Sequence, residues 1–314
     1  MMDEQIRRKE HFLEPELRDG FEVSVERKKA WKVILDIFEE VIRVCDKYHL
    51  EWSMDGGSLI GAMRHKGFVP WDDDIDIVLP RDHYERLLEV LPGELSPHLF
   101  VQTSETDRES FAAVTKIRDV RTTGIIPWHA ENGFRFCMGL FVDILPLDAV
   151  PPQDYDMARL FFRSEWIKQV RRRRFQRKRR DSSRHGFLSW LKWSFFFTLI
   201  GSRRLYRMRE APFRKMDVRK SREWQVYPAQ VGYVLRCRRK AEWFRSYLDV
   251  PFKYLTVKVP VGYDEILTQN YGDWRKPSRE GSMHGALVLD AEKNWKSSLV
   301  EQFGYRLEDL RGLP

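Results

Sequence analysis

The sequence predicts an α/β (α+β) protein: a mixed sheet with helices, plus a mainly helical basic insert. Three observations carry that prediction. Helical and extended patterns alternate along the first 150 residues, an aspartate cluster follows a glycine turn, and arginine becomes abundant after Pro151. At 42% hydrophobic and 13% aromatic residues, the 314-residue chain can bury a substantial core, which excludes wholesale disorder.

The first element is a helix over residues 24–48, where Trp31, Ile34, Leu35, Phe38, Val41, Ile42 and Cys45 fall at helical spacing. A short strand near residues 52–54 leads into the turn DGGS (55–58), and a short helix is expected over 58–65. The run WDDDIDI (71–77) reads as a strand. Period-two alternation places Asp72, Asp74 and Asp76 on one face and Ile75, Ile77 and Leu79 on the other. Asp73 should then point away, as a cap or ion-pair partner. Pro80 breaks the strand, and Tyr84, Leu87, Leu88 and Leu91 mark the next helix. Residues 111–118 alternate as a strand with Val114, Lys116 and Arg118 on one face. GLFVDIL (139–145) reads as a buried strand interrupted by one acid, Asp143, and Asp148 beyond Pro146 is expected to cap a turn or helix.

Composition divides the chain into a core with its N-terminal helix (1–150), a basic aromatic insert (151–222) and a C-terminal part that completes the site (223–314). Residues 163–222 hold 21 Lys and Arg against 4 Asp and Glu, whereas the whole chain has a net charge of only +8. Such a block suits an anionic partner. Docking on an anionic membrane surface and a structural helical hairpin are the two main expectations. Nucleic-acid binding is the weaker one, since no RNA-binding motif is present. The apolar run at 187–201 contains Lys192 and falls short of the ~20 residues that span a bilayer. Three scattered cysteines form no disulfide framework and the first residues form no secretory signal, so a cytoplasmic protein is expected, placed peripherally at the inner face of the membrane.

The chemistry is written in the acids. Like charges 4 Å apart repel by roughly 1 kcal/mol even in bulk water, and a divalent cation offsets this best. Mg²⁺, with Mn²⁺ as the substitute, takes carboxylates together with substrate phosphates. Gly56, Gly57 and Ser58 supply a turn whose backbone can approach a phosphate, and Arg64, His65 and Lys66 follow within reach of a pyrophosphate. Lys116 is a further candidate for substrate phosphate, or else a solvated strand edge. Trp71, Trp128 and Trp274 are candidates for an aromatic cage around a quaternary ammonium.

GGSLIGAMRHKGFVPWDDDIDIVL (56–79) resembles the signature of the LicD family, which has a nucleotidyltransferase-type fold and includes phosphorylcholine transferases and fukutin-related proteins. KIRDVRTT (116–123), FVDILPLD (141–148) and YGDW (271–274) extend the likeness, while the insert is only loosely typical. The resemblance implies Asp74 and Asp76 as paired metal ligands. It implies Asp143 as the third carboxylate, completing the metal site or taking a proton, and Gly57 and Ser58 as the phosphate turn. It also raises His284 as a substrate-binding candidate. The implied reaction moves a phospho-alcohol, phosphocholine foremost, from a CDP-alcohol such as CDP-choline to a hydroxyl of a cell-surface glycan or its lipid-linked precursor, releasing CMP. Nucleotidyl transfer from an NTP to a small molecule is the enzymatic alternative, and a membrane- or RNA-binding protein with a relic site is the other.

Overall fold

The computed structural model describes residues 11–111, 114–151, 154–175, 201–226, 238–278 and 287–314. His284, most of the apolar run and Cys237 lie outside these residues.

The chain opens with a hairpin, β1 (Glu16–Arg18) and β2 (Phe21–Val23). Helix α1 (Val25–Lys47) follows, started by Ser24, whose hydroxyl accepts from the Arg27 N–H at 3.3 Å. Its apolar stripe buries Trp31, Ile34, Leu35, Phe38 and Val41, as the periodicity demands. Next come β3 (Ser53–Met54) and α2 (Gly56–Ile60), the latter continued by a π turn (Gly61–His65) that stops at Lys66 in the left-handed region, φ 52°. The segment to Ala149 adds β4 (Asp76–Pro80), α3 (Arg81–Glu94), β5 (Leu99–Gln102), β6 (Thr115–Asp119), β7 (Thr123–Ile125), α4 (Pro127–Glu131) and β8 (Phe141–Ala149). Beyond it lie α5 (Asp154–Phe175), α6 (Ser202–Arg214), β9 (Glu223–Val226) and β10 (Arg238–Lys240). The remainder holds β11 (Tyr247–Phe252), β12 (Leu255–Pro260), α7 (Tyr263–Tyr271), β13 (Val288–Asp290) and α8 (Trp295–Phe303).

The main sheet is mixed and runs β10–β9–β8–β4–β3, with β6 also on β8 and β5 on β6. Strand β8 organises it. One side pairs in parallel with β4; the other pairs antiparallel with β6 along residues 141–144 and with β9 along 147–149. Pro146 falls in the gap between those two partners, so its missing N–H breaks no ladder. The fold is thus the expected α/β mixture.

Four local expectations are corrected. Residues 71–75 are irregular and the strand starts only at Asp76. The Asp72 carbonyl is already taken by Arg27 Nη1 and Trp31 Nε1, each at 3.0 Å, so it is turned toward α1 rather than into a ladder. Asp73 does not point away from Asp74: it is buried, with a carboxylate oxygen among those of Asp72 and Asp74. Strand β6 begins at Thr115, not near Phe111. Asp148 caps nothing; it is a fully buried residue of β8 whose carboxylate takes two hydrogen bonds from Arg81, at 2.6 and 2.7 Å.

The described part of the insert is bound to the core by buried charge. Arg81, on α3, also pairs with Glu210 of α6 at 2.9 Å, and Arg209 bonds the same carboxylate. Arg171, on α5, is fully buried, and its Nη2 donates to the Ser110 carbonyl at 2.7 Å. It is therefore an internal anchor rather than part of a docking face. Arg203, Arg204 and Arg207 are exposed on α6.

Candidate active site

The site forms where β4 and β8 lie side by side. Their register sets Asp76 opposite Asp143, and the Asp143 N–H donates to the Ile75 carbonyl at 2.7 Å. Carboxylate oxygens of Asp74, Asp76 and Asp143 all lie within 4.8 Å of one another, and so do those of Asp72, Asp73 and Asp74. Asp76 on β4, Asp74 in the irregular stretch just before it and Asp143 on the parallel neighbour β8 converge.

The glycine turn stands over this cluster. Gly56 has φ +55°, and a Cβ there would come within 3.0 Å of Asp76 Oδ2; one on Gly57 would lie 2.4 Å from Asp72 Oδ2. Both positions therefore require glycine for close approach. Ser58 is buried and its hydroxyl accepts from the Asp76 N–H at 2.9 Å, while the Asp55 N–H donates to the Asp76 carbonyl at 3.0 Å. Ser58 thus holds the backbone of an acid, a contact that the phosphate-turn expectation did not include.

Lys116 sits opposite Asp143 on β6, with its ammonium 2.5 and 2.6 Å from the two carboxylate oxygens and 3.7 Å from the centroid of the Phe141 ring. It is buried, which removes the solvated-edge reading. Arg64 donates to the carbonyls of Trp274 and Lys276, at 2.5 and 3.2 Å, and so ties the turn to the C-terminal part. His65 is 2.7 Å from Asp19, and Lys66 is exposed beyond the π turn. These last two lie at the C-terminal end of the ten-residue helical segment Gly56–His65, away from the carboxylates at its start, and do not join them. Trp71 packs on Phe21, Trp274 on Tyr263, and Trp128 in a second core cluster with Arg172 stacked 4.2 Å over its ring, so the three form no shared cage.

Two features were missed. Tyr271 leaves half its surface exposed, yet its hydroxyl reaches the turn at Gly56. Burial of that hydroxyl, with Asp55, Asp76 and Asp72 beside it, pushes its pKa upward. Its position in YGDW was visible, but nothing in the spacing said which of those residues turned inward. Arg239, from β10, binds Asp55 at 2.8 and 2.9 Å across 184 residues of chain, a pairing no local pattern encodes.

The electrostatics ask for a cation. Among the described residues, Asp55, Asp72, Asp73, Asp74, Asp76 and Asp143 gather here, with Lys116, Arg239 and Arg27 as basic groups beside them. Burial, then Asp74 and Asp143, hold the Asp76 carboxyl well above the ordinary carboxylate range. At an effective dielectric of about 20 each such pair at 4 Å costs about 4 kcal/mol. An all-oxygen donor set with this excess charge fits a hard divalent ion. Asp74, Asp76 and Asp143 would hold it.

Fold and site together define a buried carboxylate cluster on a mixed α/β sheet. Residues 49–179 match the family described as LicD/FKTN/FKRP, nucleotidyltransferase domain. Among curated relatives, the chain is 28% identical over 255 residues to the lipopolysaccharide cholinephosphotransferase LicD of Haemophilus influenzae, covering 78% of this chain and 89% of that one. An uncharacterized protein of Rickettsia prowazekii is 31% identical over 65 residues, 21% of this chain and 24% of that one. No helix among the described residues is long and apolar enough to cross a membrane.

Proposed function

We propose that the protein is a transferase that moves phosphocholine from CDP-choline to a hydroxyl of a cell-surface glycan, with CMP as the other product. The observation that carries the reading is the Asp74, Asp76 and Asp143 cluster beneath a glycine turn, in a chain that resembles a cholinephosphotransferase over most of its length.

The acceptor oxygen attacks the phosphorus bearing choline. The bond from that phosphorus to the bridging oxygen breaks, and CMP leaves with the oxygen and its electron pair. A divalent ion, Mg²⁺ or Mn²⁺, would hold the diphosphate and stabilise charge on the leaving oxygen. Asp74 and Asp76 would anchor that centre. Asp143 would complete it, its carboxylate form stabilised by the Lys116 ammonium at 2.5 Å, and the acceptor proton passes to a carboxylate of the cluster. Gly56 and Gly57 leave room for the diphosphate, and Tyr271 closes the wall beside them.

The test is nucleotide release by purified protein with Mg²⁺, a panel of CDP-alcohols and NTPs, and a phosphorylated or plain oligosaccharide acceptor. CMP from CDP-choline, reduced at least 100-fold by Asp76→Asn, is expected; loss of one carboxylate of a charge-stabilising set costs about that much. Pyrophosphate released from an NTP would move the protein to nucleotidyl transfer and overturn the reading.

A further inference from the structure

At the opposite end of the Gly56–His65 helix from the carboxylates, an open cleft of about 370 Å³ is lined by Arg18, Lys28, His65, Lys66 and Lys253. Among the described lining residues Glu16 is the one acid, and Asp19 sits beside it, 2.7 Å from His65. All three of Glu16's ion pairs are with these cations: Arg18 at 2.8 Å, Lys28 at 3.3 Å and Lys253 at 3.8 Å. One carboxylate therefore serves three full positive charges, two of which are largely removed from water. The Lys28 side chain is 6% exposed and that of Lys253 is 14%. Arg18 Nη1 is buried with no hydrogen-bond partner among the described residues. Burying cations without matching acids is unfavourable, and an anion entering from solvent would remove the excess.

The backbone is arranged to keep the lysines there. Lys66 and Lys253 are both left-handed, with φ 52° and 56°, and the Lys253 N–H donates to the Lys66 carbonyl at 2.7 Å. Non-glycine residues adopt that conformation only when their surroundings enforce it. The Lys253 side chain then runs across Gly67, where a Cβ would meet its Cε at 2.6 Å. Phe12 and Tyr254, edge to face at 5.9 Å, form an aromatic wall. The crowding of positive charge is felt at Lys253, whose pKa falls to about 8 through burial and the neighbouring Arg18.

We infer that this cleft is a second anion site, which binds a phosphate ester carried by the acceptor glycan. Four cations suit a doubly charged phosphate, the aromatic wall suits the apolar face of a sugar ring, and the volume suits a monosaccharide phosphate. The helix between the two sites spans roughly 13 Å at 1.5 Å per residue, so a phosphate bound here sits a short oligosaccharide away from the reacting centre. The identity of the bearer rests on the transfer reading above; the anion site itself does not.

The experiment is calorimetric titration of the full-length protein with glucose 1-phosphate and with glucose, in EDTA, so that no ion bridges phosphate to the carboxylates. Glucose 1-phosphate is expected to bind and glucose is not. Arg18→Gln and Lys253→Gln, each checked for an unchanged circular-dichroism spectrum, should weaken binding about tenfold. Asp76→Asn should leave it unchanged. No binding at millimolar sugar phosphate, or binding by both cleft variants as tight as wild type, would overturn the proposal. So would displacement by CDP-choline, which would make the cleft a donor site. Binding that survives alongside a silent nucleotide-release assay would leave the cleft standing and remove only the transferase.

Discussion

At the residue scale, the two glycines of the turn show how a single hydrogen can decide a site. Gly57 has an ordinary φ, so alanine there strains no backbone, but the added methyl would stand 2.4 Å from the Asp72 carboxylate and push it aside. Gly57→Ala should therefore fold, with a melting temperature within a few degrees of wild type, and release CMP at least tenfold more slowly; a melt and the nucleotide assay check both halves. Were the rate unchanged, Asp72 would have no part in the site. Gly56→Ala differs in kind. At φ +55° it adds backbone strain of about 1 kcal/mol to the same sort of crowding. The acids and the glycines were readable because they are local: spacing alone put Asp74 and Asp76 together. Tyr271, Arg239 and the inward turn of Asp73 were not, since each depends on contacts set by distant parts of the chain.

At the element scale, helix α6 is joined to the sheet by a buried charge network. Arg81 at the start of α3 bridges Asp148 at the end of β8 and Glu210 in the middle of α6. With side-chain exposures of 4%, 0% and 2%, these groups have no water to fall back on. Removing one partner strands the rest, at a cost of about 3–5 kcal/mol. Asp148→Asn should thus lose most of that stability in urea unfolding, whereas the double change Arg81→Met with Asp148→Leu should recover much of it. Equal losses in both would mean that the network contributes through packing alone. The sequence marked the helices well, because apolar periodicity is a local signal, but misread Asp148. A polar residue after proline looks like a cap unless the guanidinium that buries it, 67 positions earlier, is in view.

For the whole molecule, the basic insert divides into arginines that face inward and arginines that face out. Arg171 and Arg209 are internal, while Arg203, Arg204 and Arg207 are exposed on α6, and Phe162 and Trp166 on α5 are 63% and 49% exposed. Exposed aromatics together with exposed arginines are the composition of an interfacial surface, and we propose that these two helices meet anionic lipid. Flotation with vesicles containing phosphatidylglycerol should carry the protein upward. Arg204→Glu with Arg207→Glu should leave it at the bottom, and flotation unaffected by that pair would sink the idea. Arg171→Glu is a poor probe, since it would disturb the fold before it tested the surface. Charge counting found the block but could not sort its members, because burial is a property of the packed chain.

The pairing of β4 with β8 brings Asp76 and Asp143 together only once the sheet has formed. In the unfolded chain they are 67 positions apart and scarcely feel one another. Their repulsion is thus a tax on the native state alone, and an ion that settles it binds the native state alone. Such an ion stabilises by mass action, by about 2.7 kcal/mol at a hundred times its dissociation constant. If such an ion is bound there, melting temperature and the proposed transfer should both rise with free Mg²⁺ over the same concentration range, and a melt and a rate that respond to Mg²⁺ over different ranges would separate the two roles.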